Sequence, residues 1–98
     1  MNLTPEIVKN LLNILVTPKY HELIYDYMVD LVDLSELNAV EINVGVIVHP
    51  EVYYEMDTYT GNPLSGIDRR IRKDVKDALK YLGNNKSDVS VYVLEDNY

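Results

Sequence analysis

The apolar positions change period along the chain, and each change marks an element. From Pro5 the spacing is helical: Ile7, Val8, Leu11, Leu12, Ile14, Leu15 and Val16 recur, with Glu6, Lys9, Asn10 and Asn13 between them. At ~100° per residue this apolar set covers about 200° of the helix. Thr4 can cap the helix, Pro5 suits its first position, and Glu6 complements the N-terminal dipole. Thr17-Pro18 ends it, because proline disfavours the helical conformation in the residue before it. A second helix is predicted over 19–34, with Tyr20, Leu23, Ile24, Tyr27, Leu31 and Leu34 as its inward stripe. Tyr25, Met28, Val29 and Val32 widen that apolar surface, while Glu22, Asp26, Asp30 and Asp33 line up as one acidic ridge.

Ser35 to Asn38 breaks the pattern, and from Ala39 the period is two. Val40, Ile42, Val44, Val46 and Val48 point one way, and Glu41, Asn43, Gly45, Ile47 and His49 the other. A strand over 39–48 follows, closed by a turn at His49-Pro50-Glu51. Val52, Tyr54 and Met56 alternate with Tyr53, Glu55 and Asp57, which predicts a second strand over 52–58, hairpinned to the first. A loop spans Thr60 to Leu64. Ser65 then caps a third helix over 66–82, whose core stripe is Ile67, Ile71, Val75, Ala78, Leu79 and Leu82. Gly83 stops it, and alternation of Val89, Val91 and Val93 gives a final strand over 88–95.

The predicted fold is α+β in a single domain, 1–98. It has an N-terminal helical hairpin, then β-β-α-β forming a small three-stranded sheet with helices on one face. At 98 residues the chain is long enough to bury roughly two-thirds of its unfolded surface without staples. There is no cysteine, so neither disulfides nor thiolate chemistry enter, and a reducing compartment is expected. The N-terminus lacks the basic region and small-residue site of a secretory signal, and no apolar run approaches the ~20 residues of a spanning helix. The expected location is the cytoplasm or, for a viral chain, the host cytoplasm or virion. Aromatic usage is one-sided, with nine Tyr and no Phe or Trp. Tyrosine keeps a polar tip and suits half-buried and interface positions.

Charge is segregated. Residues 1–68 hold Lys9 and Lys19 against eleven acids, a net of −9, and residues 69–98 hold seven bases against five acids, a net of +2. The overall −7 disfavours non-specific attachment to nucleic acid or anionic membranes. On the third predicted helix Arg69, Arg72, Lys73, Lys76 and Lys80 fall within about 100° of arc opposite the core stripe, a ridge suited to an acidic protein surface. A solvated helix face is the plain alternative. No aromatic is interleaved to stack on bases, so nucleic acid is disfavoured.

Catalytic signals are weak. Gly61 to Gly66 echoes a phosphate loop, but Ile67-Asp68 stands where Lys-Ser/Thr belongs, and Asp68 repels phosphate. His49, Glu51 and Asp57 offer one imidazole and two carboxylates, short of a well-defined metal set. No serine sits in a nucleophile-elbow setting. No cofactor and no metal are expected. The sequence therefore predicts a small acidic, non-enzymatic interaction protein, self-associating or a subunit of a larger assembly, whether cellular or viral. Its expected contact residues are Tyr25, Met28, Val29 and Val32 for apolar area, with Glu22, Asp26, Asp30, Asp33, Arg69, Arg72, Lys73 and Lys76 for charge. The second expectation is an acidic inhibitor, whose ridge mimics a nucleic-acid backbone in a basic groove.

Overall fold

A computed structural model describes residues 3–20, 23–34, 39–49, 67–83 and 85–94. The first helix, α1, is Pro5–Leu15. The Thr4 hydroxyl oxygen accepts from the Ile7 amide at 3.3 Å, which satisfies one of the orphan donors of the first turn. Thr17–Tyr20 follows as a single 3-10 turn.

The next element overturns an expectation. Residues Ile24–Leu34 form a strand, β1, and not the second arm of a helical hairpin. Both periods fit this segment, since Ile24, Tyr27 and Leu31 satisfy a helical stripe while Tyr27, Val29 and Leu31 satisfy alternation. Three physical terms favour the strand. Two tyrosines and two valines prefer the pleated backbone. A helix would place Asp26, Asp30 and Asp33 together, where like charges repel. A strand also divides the surplus apolar residues between two faces, whereas a helix had no place to bury them.

Strand β1 pairs antiparallel with β2, Ala39–Val48, from Leu34↔Ala39 to Ile24↔Val48, with a register shift between Ile24 and Asp26. A second helix, α2, covers Ile67–Leu79 and tightens into a 3-10 turn over Lys80–Leu82. Gly83 ends it at φ 97°, a left-handed value that costs glycine little. The last strand, β3, is Asn85–Val93, and it pairs parallel with β2 from Val40↔Asn85 to Val48↔Val93. The sheet order is β1-β2-β3 and the sheet is mixed. The strand expected over 52–58, the turn at 50–51, the loop at 60–64 and the Ser65 cap lie outside the described residues.

Both described helices cover one face. Val8 and Leu12 of the first, with its C-cap Val16, meet Ile71, Val75, Ala78 and Leu79 from the second, over Ile24, Tyr27, Ile42, Val44, Val46, Val48 and Val89 of the sheet. Alternation along each strand sends the remaining side chains to the other face, on which no described helix packs. Among the described residues no helix is long and apolar enough to cross a membrane.

Candidate protein-binding surfaces

Register places the far-face side chains in rows across the sheet. Asp30, Asn43 and Asp88 share one row, Met28, Gly45 and Ser90 the next, and Asp26, Ile47 and Tyr92 the one after. Gly45 is the low point. A Cβ there would lie 2.9 Å from Tyr92 Cε2 and 3.2 Å from Met28 Cε, so both side chains lean over the bare backbone. The result is a shallow basin of about 290 Å³ with Met28 and Tyr92 as walls and Asp30, Asn43 and Asp88 at one end. Met28, Tyr92 and Val32 are 54%, 51% and 38% exposed, a large apolar area to leave in water. Tyr25, also exposed, sets its ring edge-on to His49 with centroids 5.4 Å apart.

The expected contact residues thus separate. Tyr25, Met28 and Val32 are exposed, but Val29 turns inward and packs against the core. Of the wider apolar arc on α1, Ile14 is exposed and Val8 fully buried. The acidic ridge does not form. Asp30 lies on the open face, Asp33 falls on the helix side of the alternation, and Asp26 pairs with Lys9 of α1 at 3.3 Å while accepting from the Tyr27 amide. Glu22 lies outside the described residues, as do Glu51 and Asp57 of the metal candidate. Gly45, Asn43, Asp88 and Tyr92 were missed as site residues. Their signal was present in the outward set of each predicted strand, where one glycine sits among larger side chains.

Comparison with family models, characterised proteins and solved structures finds no match.

The second surface is basic. Arg69, Arg72, Lys73, Lys76 and Lys80, with Asp77 as the one acid among them, line a groove of about 510 Å³ between α2 and the start of β3, where Asn85 and Ser87 complete it. Arg72 is held as a fork: its Nε donates to Asp68 Oδ1 at 3.1 Å and its Nη2 lies 3.0 Å from Asp68 Oδ2. Lys80 lies 3.4 Å from Asp77. Asp74 is turned elsewhere. It accepts from the Tyr20 hydroxyl at 2.6 Å and faces Lys19 at 3.8 Å, tying the 3-10 turn to α2. Burial first, then the Asp74 hydrogen bond and charge, push the Tyr20 phenol up to about 12. A second tie joins the Thr17 and Tyr27 hydroxyls at 2.9 Å. Burial raises the Tyr27 phenol against a smaller downward pull from that hydrogen bond.

Proposed function

We propose that this chain is a non-enzymatic interaction protein that self-associates through the open face of its sheet. The observation that carries this reading is the basin at Gly45, walled by half-exposed Met28 and Tyr92 on a face that no described helix covers. A second sheet stacking there, at the ~10 Å usual between sheets, buries both walls. A two-fold axis between the sheets, crossing the strands at the Gly45 row, lays the Asp30–Asn43–Asp88 row of one copy over the Asp26–Ile47–Tyr92 row of the other. Asp88 then lies over Tyr92, whose hydroxyl gains an acceptor, and Asp30 lies over Asp26, whose charge Lys9 already pairs. Such an interface is isologous and closes at two copies.

The acidic-inhibitor reading loses the regular helical ridge on which it depended, because Asp26, Asp30 and Asp33 follow a strand. The test of self-association is the solution mass by light scattering. Wild type is expected at twice 11.3 kDa, at low and at high salt, since apolar contact is not screened. A monomer at every concentration up to the solubility limit sinks the proposal.

A further inference from the structure

The basic groove does not belong to the open face, because Asn85 and Ser87 fall on the same side of β3 as the core residue Val89. Among the described residues strand β3 is also a sheet edge, and an edge strand presents backbone donors and acceptors to any extended chain that arrives. Hydrogen-bonding capacity and positive charge therefore meet along one line. We propose that the groove between α2 and β3 binds an acidic, extended segment of a partner protein, which adds to β3 as a fourth strand and turns alternate carboxylates toward α2.

The spacing supports this chemistry. Arg69, Lys73, Lys76 and Lys80 step by four, three and four residues, or about 6, 4.5 and 6 Å along the helix. Alternate side chains on one face of a strand recur every ~6.7 Å. A chain with an acid at every second position therefore keeps pace with the cations for three or four carboxylates. Because β2 and β3 are parallel, the helix between them returns along the sheet and keeps its cations beside the added strand. Arg72, already forked onto Asp68, is rigid enough to serve as a fixed donor edge. A second copy's β1 suits the groove poorly. Its helix-side residues Tyr27, Val29 and Leu31 are committed to its own core, leaving Asp33 alone to face the cations. Nucleic acid suits it less, since among the described residues no aromatic lines the groove.

The test uses the full chain and labelled peptides in fluorescence anisotropy. One peptide alternates Glu and Val; another has the same composition with its Glu in one block; a single-stranded oligonucleotide of equal charge is the third probe. The alternating peptide is expected to bind, to weaken as salt rises, and to beat the block peptide by about tenfold. Backbone amides over 85–93 gain hydrogen-exchange protection when it binds. Lys73→Glu with Lys76→Glu removes binding while the circular dichroism is unchanged; Lys73→Gln with Lys76→Gln weakens it in the same direction. Absence of binding by the folded wild type overturns the proposal. So do equal affinities for the two peptides, tighter binding of the oligonucleotide, or unchanged amide protection.

Discussion

Single side chains decide what each surface can do. At Gly45 the missing Cβ lets Tyr92 and Met28 close over the backbone. Gly45→Val is favourable to the strand itself, since valine prefers the pleat. It pushes the Tyr92 ring outward and fills the basin, so a folded monomer is expected by light scattering, with a melting temperature within a few degrees of wild type. Tyr20 makes the other residue-scale prediction. Its phenol is raised from 10.0 to about 12, so the folded chain keeps this proton after the unfolded chain has lost it. The contribution to stability is complete below pH ~10 and disappears as the pH climbs through the folded value. Tyr20→Phe should cost about 1 kcal/mol or less at neutral pH, as for one part-exposed hydrogen bond. It should also flatten the loss of stability between pH 10 and 12 in denaturant titrations. Tyr27 shifts in the same direction, so a residual slope remains.

At the scale of elements, the legible parts are those that fit one period only. The helix expected over 5–16 is present as Pro5–Leu15, and the one over 66–82 as Ile67–Leu79 with its 3-10 turn. Strict alternation made 39–48 a strand, and Val89, Val91 and Val93 identified the last. Segment 24–34 satisfied two periods at once, and the arbiter was tertiary: pairing with β2 and a core that needed Tyr27 and Leu31 on one side. The over-wide apolar arc was the warning, since a helix in a two-layer fold has no use for it. The open-face site was half legible, with Tyr25, Met28 and Val32 found from hydrophobic excess. Gly45, Asp88 and Tyr92 needed the register that brings distant strands together. Strand alternation also splits two neighbours that looked equivalent. Met28→Asp adds a charge to the open face and is expected to yield a folded monomer. Val29→Asp sets an unpaired carboxylate half-buried against the core and should cost about 2 kcal/mol, seen as a lowered melting temperature.

For the whole molecule, sheet order turns a charge split along the sequence into one across space. Asp26, Asp30 and Asp33 sit on β1, one edge of the described sheet, while the cations of α2 lie beside β3, its other edge. The open face lies between these edges and the basic groove lies on the helix side, so the two proposed contacts draw on different side chains. Sites that share no partner and stand more than about 10 Å apart act independently to within about 0.5 kcal/mol. That gives a crossed experiment. Met28→Asp should abolish the dimer and leave affinity for the alternating acidic peptide within about twofold of wild type. Lys73→Glu with Lys76→Glu should abolish peptide binding and leave the dimer mass intact, even though each copy becomes more negative. The added charges lie in the groove on the helix side and not on the open face, so repulsion between copies is screened at physiological salt. If either variant disturbs both readouts, the two surfaces are one, and a partner would have to compete with the second copy for the same contact. If the readouts separate, a dimer can carry two acidic segments at once, and the partner's apparent affinity rises with valency and not with any new contact.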